Sequence, residues 1–231
     1  YGVLVLAGPN SRKVLSQLTS QNLHNNDFPW LKGKEILINK IPVRALRVNY
    51  VGELGWELHH PMNQMESLYD AIYEAGKKEK IINFGTYAVN SLRMEKAYKG
   101  WGSELTGEIS LIEAGMDRFF NLNKKNQFIG SEALRKKLEA GTKIKIVYLE
   151  VETGNADPIG NEPVYYNNKI VGVVTSGDYG FRVKKSLAFA YIESDIEKTS
   201  KEFEIQIQGT MRKATVLEEA AYDPSNQKLK G

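Results

Sequence analysis

From Lys143 to Leu217 the apolar and polar residues alternate with a period of two almost throughout. A strand puts successive side chains on opposite faces, so this pattern specifies sheets buried on one side. The candidate strands are Lys145–Val151, Val164–Tyr166, Lys169–Ser176, Leu187–Ile192, Phe203–Gln208 and Met211–Leu217. Asn167-Asn168 and Gln208-Gly209 supply turn chemistry between neighbours. Five or six short strands within roughly 80 residues predict a small antiparallel barrel or sandwich.

Before Gly141 the pattern is mixed. Gly2–Ala7 reads as a strand and Ser11–Thr19 as a helix, with Gly8-Pro9-Asn10-Ser11 offering a turn and an N-cap. Lys34–Ile41 and Pro42–Tyr50 read as two strands around a tight turn. Asn63 followed by Glu66 has the form of a capping box, and Met65, Leu68, Tyr69 and Ile72 then recur at helical spacing. Further helices are predicted over Thr86–Ala97 and Ser131–Ala140, and a strand over Arg118–Leu122. The reading is α+β, with one domain over residues 1–141 and a β-barrel domain over residues 142–231. The polar tail Tyr222–Gly231 is expected to wrap the surface. Tyr1–Ala7 looks like a strand entered mid-fold, as in a fragment of a longer chain, and carries no basic leader.

The stretch with most chemical content is Arg47–Pro61, where two extended runs flank Gly-Glu-Leu-Gly. Gly52 and Gly55 give the turn backbone freedom. Tyr50 precedes the turn and Glu57 follows it, so a hairpin aims a phenol and a carboxylate at one cleft. A carboxylate accepts two parallel N–H donors from a flat 2-amino-4-oxopyrimidine edge, the edge that a pterin presents. On these residues alone, a solvated hairpin with its carboxylate facing water is the plainer reading.

Other chemistries find little support. The chain has no cysteine, which excludes disulfides, thiolate metal sites and a Cys nucleophile. His59 and His60 are adjacent and face opposite sides of a strand, His24 sits in a loop, and no spacing supports a metal. Ser176 lacks the G-x-S-x-G frame. Gly8-Pro9 and Gly100-Trp101-Gly102 lack phosphate-loop spacing. Asp178 and Asp223 read as turn formers. Along Thr86–Ala97, Arg93 and Glu95 are candidates to face inward and tie the helix to a neighbour. The net charge of +3 is too small to argue for nucleic acid. No apolar run reaches the roughly 18 residues of a membrane span. The expected compartment is the cytoplasm, or the mitochondrial matrix in a eukaryote.

Four segments taken together resemble a known family. Arg47–Leu58 resembles R-V-S-Y-V-G-E-L-G-W-E-L, and Asn83–Ala97 resembles N-F-G-T-Y-A-x-N-x-L-R-x-E-K-A. Trp101–Thr106 with Glu113-Ala114-Gly115 resembles W-G-x-E-L followed by E-A-G. Val174–Tyr191 resembles T-S-G-x-Y-G-x-x-V-x-K-S-L-A-x-x-Y. The tail from Tyr222 also fits. The family is the folate-binding, aminomethyltransferase-like part of dimethylglycine and sarcosine dehydrogenases, relatives of the glycine-cleavage T-protein.

The resemblance implies a partial T-protein-like domain followed by the barrel, and a tetrahydrofolate site. It implies that a flavin domain with FAD, absent from this chain, oxidises an N-methyl group of a methylated glycine. The one-carbon unit then passes to tetrahydrofolate as 5,10-methylenetetrahydrofolate. By position, Glu57 holds the pterin, Tyr50 accompanies it, and Leu58 and His59 line the same site. Arg118 stands where close relatives have a folate-lining tyrosine, and is a candidate to reach the folate glutamate carboxylates. The family's catalytic aspartate precedes the stretch that matches, and no residue here substitutes for it.

Two alternatives remain. One is a true T-protein acting on an aminomethyl-lipoyl carrier, against which Val89 stands in place of that branch's arginine. The other is a non-catalytic folate-binding scaffold, whose K-G-C-Y-x-G-Q-E element this chain lacks.

Overall fold

The computed structural model describes residues 1–231. The chain divides into two compact units, Tyr1–Lys96 together with Tyr222–Gly231, and Ala97–Ala221.

The first unit is built on a four-stranded antiparallel sheet of β1 (Gly2–Ala7), β2 (Gly33–Ile38), β3 (Ile41–Leu46) and β4 (Gly55–His60), in the order β1-β4-β3-β2. It is accompanied by α1 (Ser11–Leu15), α2 (Met65–Gly76), α3 (Thr86–Glu95) and a last short helix at Gln227–Lys230. Alternation fixes which side chains go in. Leu6, Trp56, Leu58, Val43, Ala45, Ile36 and Ile38 form one core with Val14 and Leu15 of α1 and Leu68 and Ile72 of α2. The opposite face of the sheet keeps Val3, Val5, Leu37, Arg44 and Glu35 exposed.

Several local expectations shift. The turn between β2 and β3 is Asn39-Lys40, with φ of 46° and 66°, so β3 starts at Ile41. α1 stops at Leu15 rather than Thr19. Asn10 makes no side-chain cap, and Ser11 Oγ instead donates to the Leu54 carbonyl at 2.9 Å. The capping box at Asn63 does not form, because a 3-10 turn at Met62–Gln64 follows Pro61 and leaves Gln64 at the cap position of α2. Arg93 and Glu95 are buried, as inward-facing residues must be.

The second unit holds α4 (Ser131–Ala140) and six strands: β5 (Ile144–Val151), β6 (Pro163–Tyr166), β7 (Lys169–Gly180), β8 (Lys185–Glu193), β9 (Glu202–Ile207) and β10 (Thr210–Val216). They close into an antiparallel barrel in the order β10-β5-β8-β7-β6-β9. Both predicted turns have positive φ at both residues, 49° and 62° at Asn167-Asn168 and 48° and 78° at Gln208-Gly209. This is the hairpin chemistry that matches strand twist. Val147, Leu149, Val164, Val174, Ala190 and Ile205 are among the residues that fill the interior.

β8 is buried on both faces, because the segment after Gly100 covers its outer side. Tyr191 donates its phenol to the Glu104 carbonyl at 2.8 Å, and Ile146 N donates to the Glu113 carbonyl at 3.0 Å. Burial and the nearby Glu104 push the Tyr191 phenol well above its usual range, so it stays a donor. The strand expected over Arg118–Leu122 is instead a 3-10 turn, Asp117–Phe119. A closed barrel has no free edge for another strand to join.

Candidate functional site

β4 places its residues by simple alternation. Trp56, Leu58 and His60 point into the core, while Glu57 and His59 lie on the open face and are half-buried. Register then fixes their neighbours. One cross-sheet row reads Val3, His59, Arg44, Glu35, and the next reads Val5, Glu57, Leu46, Gly33. Side chains directly opposite on one face sit within interaction distance.

Polar contacts on this face are few and specific. His59 Nε2 lies 3.1 Å from Glu57 Oε2, and their side chains are 30% and 32% exposed. The other carboxylate oxygen of Glu57 has no protein partner. Arg44, directly across from His59, is engaged elsewhere: Nε lies 3.1 Å from Glu35 Oε1, and the guanidinium lies over the Tyr1 ring at 5.5 Å. A depression of about 320 Å³ opens beside His59, between Tyr1, Gln21, Pro42 and Arg44. A larger one of about 420 Å³ runs along the free edge of β1, walled by Tyr69, Tyr73, Ile82 and Phe84. That wall is mostly apolar and does not include Glu57.

The arm before the turn differs from the expected hairpin. β3 ends at Leu46, so Tyr50 lies in a loop over residues 47–54 rather than on a strand. Asn49 organises that loop. Its Nδ2 donates to the Glu53 carbonyl at 2.6 Å, and its Oδ1 accepts from the N–H groups of Val51 and Gly52 at 3.0 and 3.1 Å. Gly52 has φ of 74°, and a Cβ there would collide with the stem of Lys96. Gly55 faces the Leu6 carbonyl, which a Cβ would approach to 2.6 Å.

The loop is anchored by residues that sequence reasoning did not single out as anchors. Arg47 is buried and lies over the Trp56 ring at 5.1 Å. Its guanidinium donates to Asn25 Oδ1, the Phe28 carbonyl and the Lys230 carbonyl at 2.9, 2.8 and 2.6 Å. Burial and the charge of Arg12 lower its pKa to about 10, which still leaves it protonated at neutral pH. The tail does more than wrap the surface. Tyr222 donates its phenol to the buried Glu53 at 2.7 Å. Lys96 donates to the Asp223 carbonyl at 2.6 Å and to Asn226 Oδ1 at 2.8 Å. Burial lowers the Lys96 pKa, and Asp223 opposes that shift.

Among the residues predicted for a ligand, the structure brings Glu57 and His59 together and puts Tyr50, 40% exposed, on the adjoining loop. Leu58 is fully buried in the core, so only its backbone faces the strand edges. Arg118 belongs to the second unit, where it is exposed and lies over the Phe119 ring at 4.8 Å.

Comparison with known proteins places the chain in a family. The family model described as the GCVT N-terminal domain matches residues 1–124, and the glycine cleavage T-protein C-terminal barrel domain matches residues 145–223. The chain belongs to the glycine-cleavage T-protein family. Among members, human mitochondrial dimethylglycine dehydrogenase is 44% identical over 94% of this chain. Mouse mitochondrial sarcosine dehydrogenase is 33% identical over 100% of it. An aminomethyltransferase of Alkaliphilus oremlandii is 31% identical over 97%.

This T-protein family chain spans only 25% of the dimethylglycine dehydrogenase, 26% of the sarcosine dehydrogenase and 60% of the aminomethyltransferase. The relatives are enzymes. The solved aminomethyltransferase T of the glycine cleavage system from Bartonella henselae shares the fold, with a TM-score of 0.83 over 96% of this chain and 60% of that one, at 23% identity. No helix is long and apolar enough to cross a membrane.

Proposed function

We propose that this chain is the tetrahydrofolate-binding, one-carbon-transfer part of a dimethylglycine or sarcosine dehydrogenase-like enzyme. The observation that carries this is the carboxylate of Glu57, held at one oxygen by His59 and open at the other, on the sheet face opposite the core that α1 and α2 pack against. A carboxylate so placed suits a flat ring with two adjacent N–H donors, which is the recognition edge of a pterin. The 44% identity to dimethylglycine dehydrogenase supports the dehydrogenase branch over the lipoyl-dependent one.

When bound, tetrahydrofolate supplies N5 and N10 as acceptors of the one-carbon unit. The residues of this chain act by orientation. Glu57 fixes the pterin ring, with Tyr50 on the adjoining loop and the open-face side chain of His59 beside it. Holding an acceptor in reacting geometry replaces a bimolecular encounter with a local one. Flavin chemistry on the methylated glycine belongs to the part of such an enzyme that this chain does not span. The mammalian relatives are named as mitochondrial, and the matrix is the compartment proposed for a eukaryotic source.

Titration calorimetry with tetrahydrofolate tests the site. Glu57→Ala is expected to weaken binding by about 100-fold, as loss of a charge-assisted pair costs roughly 1.5–3 kcal/mol. Equal affinity in wild type and variant would refute the reading. Arg118, exposed and stacked only on Phe119, is proposed to meet the glutamyl carboxylates. Arg118→Ala is expected to lower the affinity for polyglutamyl tetrahydrofolate several-fold. Unchanged affinity would remove Arg118 from the site.

A further inference from the structure

We infer that His59 is a positioning residue, which pins one oxygen of Glu57 so that the carboxylate plane is fixed before a ligand arrives. This rests on the pterin reading given above.

The argument starts from register. His59 faces Arg44 across the β3–β4 pair and Val3 across the β1–β4 pair, and follows Glu57 two residues on along its own strand. Valine offers no polar partner. Arg44 is a cation, and it is drawn the other way by Glu35 at 3.1 Å and by the Tyr1 ring at 5.5 Å. The imidazole therefore has one productive direction, along β4 to Glu57 Oε2 at 3.1 Å. The same diversion of Arg44 leaves His59 as the protein's only hydrogen-bond donor to that carboxylate.

A glutamate on an open sheet face is otherwise free about its side-chain torsions. Fixing one before binding removes from the association the entropy cost of immobilising that side chain. Each carboxylate oxygen has two acceptor sites, so a bond from His59 leaves room for a ligand donor on Oε2 and all of the other oxygen. The Glu35–Arg44 pair acts one step further out, by keeping the guanidinium from taking the carboxylate for itself.

Calorimetric titration with tetrahydrofolate on His59→Ala, His59→Gln and Glu57→Ala chains tests this. Glutamine carries an N–H donor at a reach close to that of Nε2. The expected result is that His59→Ala binds about 10-fold more weakly and His59→Gln within about twofold of wild type. A merely structural role would give no such rescue. If Glu57→Ala weakens binding and His59→Ala does not, the positioning role is overturned while the pterin site stands. If His59→Gln is as weak as His59→Ala, the hydrogen bond is not the cause and the inference also fails. If wild type does not bind, or Glu57→Ala binds as wild type does, the reading beneath it fails as well.

Discussion

Deleting Tyr222–Gly231 is expected to unfold the first unit. The ten-residue tail looks dispensable by composition, yet it supplies partners to three buried charges. Lys96, 4% exposed, would lose the Asp223 carbonyl, Asn226 and the Asp223 carboxylate at 3.9 Å. Arg47, 1% exposed, would lose the Lys230 carbonyl, and Glu53 would lose the Tyr222 phenol. Leaving a buried charged group short of a hydrogen-bond partner costs about 1–3 kcal/mol each time. Domains of ordinary stability hold only about 5–15 kcal/mol in total. Urea unfolding followed through tryptophan fluorescence is the check, since Trp56 is fully buried in this unit. The truncated chain should show an exposed Trp56 signal without denaturant. Lys96→Met in the truncated chain should recover part of the loss, because it removes a stranded charge while keeping the shape of the stem. A truncated chain as stable as the whole would contradict the packing described.

Glu104→Ala is expected to destabilise the second unit by about 3–5 kcal/mol, or a melting temperature lower by roughly 10 °C. Glu104 has no exposed surface. Its carboxylate accepts from the Gly100 N–H at 2.7 Å and from the hydroxyls of Thr175 and Ser176, each at 2.6 Å. It thereby ties the segment after Ala97 to β7. With alanine, the hydroxyls of Thr175 and Ser176 and the Gly100 N–H each lose a charged acceptor, and each such loss costs about 1–3 kcal/mol. Glu104→Gln keeps one carbonyl acceptor, so calorimetric melting should place it between alanine and wild type. Melting of the alanine variant within a degree of wild type would show that solvent replaces the carboxylate.

These two devices also mark where the sequence stops being legible. The barrel was readable because each strand alternates, and because Asn-Asn and Gln-Gly tolerate the positive φ that hairpins need. The outward position of Glu57 was readable for the same reason, since Trp56 and Leu58 flank it with obvious core residues. The capping box at Asn63 misled because Pro61 diverts the chain into a 3-10 turn first. Arg118–Leu122 misled because a short apolar run does not say whether a strand edge is free to receive it. The alternation runs on past Leu46 and so predicts a strand at Tyr50, whereas the side chain of Asn49 folds those residues into a loop. The bonds of Glu104 span 71 and 72 residues, and that of Tyr222 to Glu53 spans 169. No local period encodes such a pairing. The quoted motifs contain these residues, but motif letters do not say which letter binds which.

A structure of the protein with tetrahydrofolate bound tests the central claim most directly. The account predicts ring nitrogens of the pterin within about 2.7–3.2 Å of the Glu57 carboxylate, on the open face of β4, with His59 still on Oε2. A pterin ring seated away from that face, with Glu57 facing only water, would contradict it.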